Sequence, residues 1–429
     1  MNKNEQIKPL NMSGFIVRKA KAEELNRDDY KSIVNHMMHF GVDRHTKNMF
    51  LALDKFGMGK DEVLALALAI RDSGAVFHAN ELVLEKHSTG GIGDSTSIVL
   101  IPLLASLGYK IVKTTGRSLV YANGSADRFK SIPGFEPLEY TQINKALEKN
   151  NACVLAHGEK YCPADQVLFN VIEKYHLESN INFLAASIVA KKLTSDARIV
   201  LVDVKYGEAS SIERYGDACR LADLLKYMFN KCGVECIIAI TNTHQLIGES
   251  VGNAVEVMDA LDVLTGKHCM LRDVATQYTV AMMTKADKRI RKSDALDMVN
   301  TALDNGLAYN RFLDIVKTQH GDVKSVTNRT FFEPKEMVIF KADRAGYVGN
   351  INALLMGELI RRLCVGNHNK NIGLTVNVKI GDYVNVGDTI LTLYCENKKD
   401  VESYLEAIRG CVRITHIKVN KVNPIKRLG

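Results

Sequence analysis

Residues 82–107 read LVLEKHSTGGIGDSTSIVLIPLLASL, and this stretch decides the fold. Its apolar start, 82–84, predicts a buried strand, and the apolar run 98–107 has the length of a helix. Between them lie Lys86, His87 and a glycine-rich loop that leads into a serine-rich helix start. Glycines let backbone N–H groups approach an oxyanion, and a helix N-terminus adds the positive end of its dipole. The stretch therefore predicts an anion pocket, with a phosphate or phosphoester as the favoured occupant.

A glycine-rich turn between a strand and a helix can also be only a tight turn. The glycine order matches neither GxGxxG nor GxxxxGK[ST], because Lys86 precedes the glycines. A dinucleotide fingerprint and a Walker loop are therefore excluded. Lys86 supplies a full charge, His87 can titrate near neutral pH, and Ser88, Ser95 and Ser97 supply neutral donors. This combination favours an anion site over a bare turn.

The composition is that of an ordinary soluble globular protein. The chain has 429 residues, of which 46% are hydrophobic and 24% charged, so two or three domains are expected. The formal charge of +7 is mild and is not concentrated in a basic run, which argues against nucleic acid as a partner. The longest apolar run, 98–107, is too short to span a bilayer. Nine scattered cysteines lack zinc-site spacing, and a reducing cytoplasm is expected.

The residue pattern divides the chain into three parts. Residues 14–79 carry the apolar spacing of a small helical bundle. From residue 82 short β-rich runs alternate with helical stretches, which predicts a mostly parallel sheet. These runs are 82–84, 110–113, 152–156, 199–204 and 236–240. From about residue 338, short strands separated by Gly-Asp turns predict a small β-rich module.

Ligands of parallel sheets lie beyond the carboxyl ends of the strands. The predicted loops that contain Lys86, Thr115 and Lys205 each follow a predicted strand. We therefore expect these three loops to converge on one site.

Several motifs, in this order, resemble those of the thymidine and pyrimidine-nucleoside phosphorylase family. They are KHSTGGIGD at 86–94, GRSL at 116–119, SIPGF at 131–135, PAD at 163–165, ASIVAKK at 186–192, DVK at 203–205 and GNAVE at 252–256. The GYV segment at 346–348 and KIGDYVNVGD at 379–388 resemble the last domain of that family. Several motifs in order are far more specific than any one of them alone.

The resemblance implies a combined α/β and all-α fold: a small helical domain, a larger α/β domain with a mixed, mostly parallel sheet, and a cleft between them. The helical domain, for dimerisation and base binding, would comprise 1–80 with 165–197. The α/β phosphate-binding domain would comprise 81–164 with 198–335, and a β-rich α+β subdomain would follow at 336–429. A homodimer through the helical domain is implied as well.

The activity that the resemblance implies is reversible phosphorolysis of a nucleoside to pentose 1-phosphate and free base, in pyrimidine metabolism and nucleoside salvage. Inorganic phosphate would be the co-substrate, without an organic cofactor and without a nucleic-acid or membrane partner. The family's phosphate contacts map to Lys86, Ser88, Ser97, Thr115 and Ser125.

The family's catalytic residues map to His87, Ser187 and Lys191, beside the leaving base. The spacing i to i+4 places Ser187 and Lys191 on one helix face. The substrate-binding positions are Thr89, Leu119, Phe169, Ile172, Ser187 and Lys191. A K⁺ ion, which some members bind, would be held by Gly93, Ser95 and Glu256.

Some of these residues also have a purely structural interpretation. His87 could be a structural histidine, and Ser187 could be a small packing residue. Lys191 could belong to a solvated helix end, and Glu256 could be a surface carboxylate.

The positions that match the family's base-binding residues differ from the family. Ile172 stands where the family has an arginine that grips the pyrimidine carbonyl, Phe169 replaces a tyrosine, and Ser211 replaces an aromatic residue. The arginine's charge-assisted hydrogen bonds would each contribute about 1.5–3 kcal/mol. The residues therefore predict a nucleoside or related glycoside whose base is not ordinary uracil or thymine.

The second glycine-rich loop departs as well. Val120, Tyr121 and His157 replace a glycine, a histidine and a glutamine of the family, and the segment 124–127 resembles the corresponding loop of anthranilate phosphoribosyltransferase. Two alternatives stay open: a phosphoribosyltransferase related to that enzyme, using a diphosphorylated ribose with Mg²⁺, and a catalytically inactive homologue that binds nucleoside or phosphate.

Overall fold

The computed structural model describes residues 10–115, 124–156, 161–364 and 371–429. The helices in these ranges are α1 (Ser13–Ala20), α2 (Arg27–Phe40), α3 (Arg44–Phe56), α4 (Lys60–Arg71), α5 (Thr96–Ser106), α6 (Ser125–Lys130), α7 (Ile143–Asn150), α8 (Pro163–Lys174), α9 (Ile181–Leu193), α10 (Tyr215–Lys231), α11 (Asn253–Leu264), α12 (Met270–Ala286), α13 (Lys292–Asp304), α14 (Leu307–Thr318), α15 (Val323–Thr327), α16 (Ala353–Cys364) and α17 (Leu405–Arg409). Short 3₁₀ turns lie at Tyr140–Gln142 and Lys398–Tyr404. Every helix in the described ranges is too short or too polar to cross a bilayer.

The strands in the same ranges are β1 (Val83–Ser88), β2 (Lys110–Thr115), β3 (Ala152–Ala156), β4 (Ile199–Tyr206), β5 (Glu235–Asn242), β6 (Ser250–Val251), β7 (Glu336–Lys341), β8 (Gly346–Ile351), β9 (Gly373–Val376), β10 (Tyr383–Val384), β11 (Thr389–Cys395), β12 (Val412–Thr415) and β13 (Ile425–Leu428). Strands and helices alternate from β1 onward, and the shorter strands cluster after residue 336. The predicted α/β fold class with an additional helical part is therefore confirmed.

The chain forms two compact units. The helical unit comprises the described residues of Met1–Asn80, His157–Arg198 and Cys219–Cys236, and the α/β unit comprises those of Glu81–Ala156, Ile199–Ala218 and Ile237–Gly429. The helical unit thus includes most of α10, which the sequence analysis assigned to the α/β domain. The division into base-binding and phosphate-binding domains stays a prediction.

The central sheet of the α/β unit has the strand order β13-β5-β4-β1-β2-β3 in the part of the chain that the structure describes. Strand β1 pairs in parallel with β4 and β2, and β2 pairs in parallel with β3, whereas β13 is antiparallel to β5. The prediction of a mixed, mostly parallel sheet is therefore confirmed. The register places Lys86 opposite Leu201 and Ser88 opposite Asp203, so β1 and β4 end side by side.

The strands extend further than the sequence indicated. Lys86 and His87, predicted to lie in the loop after a strand, are residues of β1 itself. Thr115 is the last residue of β2, and Lys205 lies within β4. The prediction of loop positions for these residues was wrong. Lys86 and Lys205 can extend the strands because they are buried beside counter-ions. Hydrophobic patterning cannot show such an extension.

The C-terminal segment forms one antiparallel sheet of its own, with strand order β10-β8-β12 in the described residues. It forms a second one, β6-β9-β11-β7, together with β6 (Ser250–Val251) from the preceding part of the chain. Residues such as Phe340, Leu374 and Leu391 form a hydrophobic core there, which Ile92 and Leu246 of the preceding chain join. Gly252, with φ +134°, precedes α11, and a Cβ at this position would lie 2.8 Å from the Ile372 carbonyl oxygen. Only glycine therefore allows the start of α11 to approach β9 so closely.

A buried carboxylate joins three helices of the helical unit. The Lys19 ammonium on α1 donates to both oxygens of Glu62 on α4, at 2.9 and 2.7 Å. The Leu25 and Gly59 N–H groups donate to the same carboxylate at 2.9 and 2.8 Å, and the Tyr30 hydroxyl on α2 donates at 3.2 Å. The Lys19 and Glu62 side chains are 6% and 1% exposed. Glu62 therefore neutralises Lys19 and satisfies donors that would otherwise be unpaired.

We predict that Glu62→Gln lowers the free energy of unfolding by about 3 kcal/mol at pH 7, because it leaves the Lys19 charge buried without a counter-ion. Burial raises the pKa of Glu62, but the donated hydrogen bonds and the Lys19 charge lower it by more, to below its usual 4.5. A lowered carboxyl pKa stabilises the fold above pH 4.5, and this contribution is lost as the pH falls through the folded-state value.

Urea unfolding of wild type and Glu62→Gln at pH 7 and at about pH 3.5 checks this prediction, and the gap between the two proteins should shrink at the lower pH. Glu173→Gln is the matched control, because Glu173 on α8 is exposed. A gap of equal size at both pH values would contradict the assigned role of the carboxylate.

Candidate active site

A cluster of buried charges lies at the carboxyl ends of β1 and β4, and we name Lys86, Asp94, Asp203 and Lys205 the buried charge cluster. The Lys205 Nζ lies 2.7 Å from Asp203 Oδ2 and 3.4 Å from Asp94 Oδ2. The Lys86 Nζ lies 3.7 Å from Asp94 Oδ2 and 4.0 Å from Asp203 Oδ2. Lys86 is 0% exposed, and its ammonium has no hydrogen-bond partner among the residues that the structure describes. Its N–H groups are therefore unused donors. The Lys205 Nζ forms an ion pair with Asp203 but likewise lacks a hydrogen bond of good geometry in the described part of the chain.

The charges of the cluster shift one another's pKa values. Burial lowers the pKa of Lys86, and the Asp94 and Asp203 carboxylates oppose that shift only in part. Burial also lowers the pKa of Lys205, but Asp203 and Asp94 raise it by more, so the net shift is upward. Burial raises the pKa of Asp94, whereas Lys205 and Lys86 lower it by more, to well below its usual range. The carboxylates therefore compensate the burial of Lys86 less than they compensate the burial of Lys205.

The glycine-rich loop folds around the Asp94 carboxylate. Asp94 Oδ1 accepts hydrogen bonds from the N–H of Thr96, at 3.1 Å, and from the Thr96 hydroxyl, while Oδ2 accepts from the Ser88 hydroxyl at 3.1 Å. Gly93 has φ +65°, and a Cβ there would lie 2.9 Å from the Ser250 carbonyl oxygen, so this position requires glycine. One carboxylate thereby joins the end of β1 to the first turn of α5.

The predicted phosphate contacts lie at one edge of the central sheet. Lys86 and Ser88 end β1, and Ser97 is buried in the first turn of α5, directly after the loop. Thr115 ends β2, and its hydroxyl accepts a hydrogen bond at 3.1 Å from the second residue of α6, which begins at Ser125. Because β1 and β2 are neighbouring parallel strands, the structure brings these five residues to the same edge.

The remaining predicted residues of this unit have different positions. His87 is half-buried on β1, and strand alternation directs its side chain to the opposite face from Lys86 and Ser88. The Thr89 N–H donates to the Asp203 carbonyl at 3.0 Å, and the Thr89 hydroxyl accepts from the Lys205 N–H at 2.8 Å. Thr89 therefore joins β1 to β4. The predicted positions Leu119, Val120, Tyr121 and His157 lie outside the described residues.

A second cluster lies within the helical unit, on α8 and α9. The Lys191 ammonium donates to Asp165 Oδ2 at 2.7 Å and to the Ser187 hydroxyl, and it lies 4.7 Å from the centroid of the Phe169 ring. Lys191 is 8% exposed and Ser187 is 3% exposed, so Lys191 does not belong to a solvated helix end. Ile172, three residues after Phe169 on α8, is 0% exposed. The structure thus gathers Ser187, Lys191 and Phe169 around a counter-ion.

Glu256 is the centre of a third group and is not a surface carboxylate. Arg128 Nε lies 2.5 Å from Glu256 Oε2, and the Ser95 hydroxyl donates to the same oxygen at 3.5 Å. The Gly252 N–H donates to Oε1 at 3.2 Å. Burial raises the pKa of the Glu256 carboxyl, and the Arg128 charge opposes the rise.

The sequence analysis missed the counter-ions. Asp165 and Asp203 appeared within motifs but received no role, Lys205 was expected at the site only as part of a loop, and Arg128 received no role. The one available signal was a charged pair, Asp203 and Lys205, on a strand whose other residues are apolar. Such a pair at alternate positions of a buried strand requires ionic partners on the same face.

Comparison with known proteins identifies two regions of the chain. Residues 80–309, which are 230 of the 429 residues, match the family described as glycosyl transferase family, a/b domain. Residues 347–415 match the pyrimidine nucleoside phosphorylase C-terminal domain. The second match covers most of the small β-rich segment.

Similar proteins align along nearly the whole chain. A pyrimidine-nucleoside phosphorylase of Staphylococcus haemolyticus is 27% identical over 94% of this chain and 96% of its own length. A thymidine phosphorylase of Mycoplasma genitalium is 27% identical over 94% of this chain and 100% of its own length. Among solved structures, anthranilate phosphoribosyltransferase of Thermus thermophilus aligns with a TM-score of 0.55 at 16% identity, covering 70% of this chain and 98% of that one, which shows a shared fold.

These matches agree with the motifs and with the arrangement of the central sheet. The expected enzyme class, a pentosyltransferase, is confirmed at the level of the family. The chain belongs to the thymidine and pyrimidine-nucleoside phosphorylase family of glycosyl transferases.

Proposed function

We propose that the protein catalyses the reversible phosphorolysis of a nucleoside, which yields pentose 1-phosphate and a free base. The observation that carries the proposal is the Lys86 ammonium, which is fully buried and has no hydrogen-bond partner in the described part of the chain. A phosphate dianion would supply both the acceptor oxygens and the negative charge that such a lysine requires. The hydroxyls of Ser97 and Thr115 at the same sheet edge would add neutral donors, and the Ser88 hydroxyl would do so on turning away from Asp94.

The chemistry requires no organic cofactor. A phosphate oxygen forms a bond to the anomeric carbon while the bond from that carbon to the base nitrogen breaks, and the electron pair leaves with the base. No atom changes its oxidation state, so inorganic phosphate is the co-substrate that the reaction needs. The protein's task is to hold the phosphate and to stabilise the charge that develops on the base.

We assign stabilisation of the leaving base to His87, Ser187 and Lys191. Lys191 is held by Asp165 at 2.7 Å, so its ammonium is positioned before any substrate binds. A positioned cation stabilises a developing anion without reorganisation at the moment of reaction. His87 would share a proton with a carbonyl of the base, a role for which imidazole is suited near neutral pH.

The base pocket is the specific part of the proposal. Ile172 offers no donor to a pyrimidine carbonyl, and Phe169 places an aromatic face beside Lys191. An unpaired carbonyl facing an alkyl group costs about 1–3 kcal/mol. We therefore propose a nucleoside or related glycoside whose base lacks the carbonyl pattern of uracil and thymine. Thr89 and Leu119 complete the proposed substrate contacts.

We assign the base contacts and a homodimer interface to the helical unit, and the phosphate contacts to the α/β unit. These assignments rest on family membership. The buried ion groups of each unit support them, because each unit carries a lysine that its own elements position.

Lys86→Met should raise the KM for phosphate and lower kcat/KM for phosphate by about 100-fold, because a buried charge-assisted donor is lost. The KM for the nucleoside should change by less than about threefold, because the base contacts remain. Initial-rate measurements of pentose 1-phosphate formation check both values. Lys145→Met, at an exposed lysine of the same unit, is the control. An unchanged phosphate KM in Lys86→Met would exclude the assigned site.

A panel of purine and pyrimidine nucleosides tests the base pocket. Wild type should turn over uridine and thymidine slowly relative to its best substrate, and Ile172→Arg should raise kcat/KM for uridine by about tenfold or more. Ile172→Met, which adds no donor, is the matched control. Fast uridine or thymidine turnover by wild type would show that Ile172 in place of the arginine does not exclude ordinary pyrimidines. Release of pyrophosphate from a diphosphorylated ribose with Mg²⁺ would favour the phosphoribosyltransferase alternative.

A further inference from the structure

The group around Glu256 does not fit the K⁺ ion that the family resemblance implied. A potassium site needs oxygen atoms with unused lone pairs and a net negative field. Arg128 Nε instead lies 2.5 Å from Glu256 Oε2, and the two side chains are each 5% exposed. A guanidinium at hydrogen-bond distance from the carboxylate both occupies the acceptor and repels a second cation.

The other predicted ligands also make hydrogen bonds within the chain, although these leave some of their lone pairs unused. The Gly93 carbonyl oxygen accepts a hydrogen bond from the Gly248 N–H at 2.9 Å. The Ser95 hydroxyl donates to Glu256 Oε2 at 3.5 Å, and the Gly252 N–H donates to Oε1 at 3.2 Å. Each predicted ligand thus already makes a hydrogen bond within the described part of the chain.

We propose that Arg128 takes the place of the monovalent cation, so that the protein needs no K⁺ for its fold. The guanidinium would do what the ion would do: neutralise a buried carboxylate and hold together the elements around it. Those elements are α6, which carries Arg128, α11, which carries Glu256, and the start of α5 at Ser95. Because the cation is part of the chain, it cannot dissociate or exchange with other ions.

Arg128 also lies near the edge of the central sheet that carries the predicted phosphate contacts. Arg128 follows Ser125 by three residues on α6, and its charge contributes to the lowered pKa of Lys86. Arg128 is therefore a residue that holds α6 against α11 through its ion pair with Glu256. This inference goes beyond the proposed function and does not depend on it, because its readout is the stability of the fold.

The test compares thermal unfolding in KCl and in tetramethylammonium chloride at equal ionic strength, about 0.1 M. Wild type should unfold at the same temperature in both salts, within about 1 °C. Arg128→Met removes the charge and exposes the Glu256 carboxylate to an ion, so K⁺ should raise its Tm by about 3 °C or more over tetramethylammonium. Arg128→Lys keeps a cation and should show no preference. Arg291→Met, at an arginine whose side chain is 80% exposed, is the control.

A K⁺-specific rise in the Tm of wild type would overturn the inference, because it would show that an ion binds beside Arg128. An Arg128→Met protein equally stable in both salts would overturn it too, because the guanidinium would then not stand in for an ion. Where Arg128→Met does not fold, wild type and Arg128→Lys keep the test decisive, and a K⁺ requirement in either of them contradicts the proposal. A failed phosphorolysis assay would leave these outcomes unchanged.

Discussion

The α/β unit depends on compensating two lysines that are buried in its interior. Lys86 and Lys205 are each 0% exposed, and burying an isolated ammonium costs several kcal/mol. Asp94 and Asp203 offset this cost, and they come from the loop after β1 and from β4. The ion group therefore forms only when the two strands pair in the observed register. Strand pairing, the glycine-rich loop and the start of α5 consequently stabilise one another, and the Lys86 N–H groups are left as donors for the proposed phosphate.

A buried cation held by a carboxylate also occurs elsewhere in the molecule. In the helical unit Asp165 positions Lys191, and in the α/β unit Glu256 holds Arg128. In each case a cation sits on a helix or strand, and a carboxylate from another element fixes it. Rigid elements hold such groups more accurately than loops do, and a fixed charge needs little reorganisation when a substrate binds. The enzyme class and the arrangement of these charges are therefore consistent with each other.

Much of the fold and the family could be predicted from the sequence, but the charge pairing could not. Alternating β-rich and helical runs predicted the parallel sheet, and ordered motifs predicted the family. The ends of β1 and β4 were missed because buried polar residues such as Lys86 and Lys205 look like loop residues until their partners are known. Arg128 was missed because Glu256, its partner, is 128 residues away in the chain. The roles of Ser187, Lys191 and Ile172 stay predictions.

The proposed reaction requires that the Lys86 ammonium bind a phosphate-like dianion. A crystal structure of the wild-type protein with arsenate, which is located by its anomalous scattering, tests this claim most directly. The account predicts an arsenic peak with an arsenate oxygen about 2.8 Å from the Lys86 Nζ and with the Ser88 and Ser97 hydroxyls in hydrogen-bond range. A site that holds no arsenate, with the Lys86 ammonium hydrogen-bonded to Asp94 or Asp203 instead, would contradict the account.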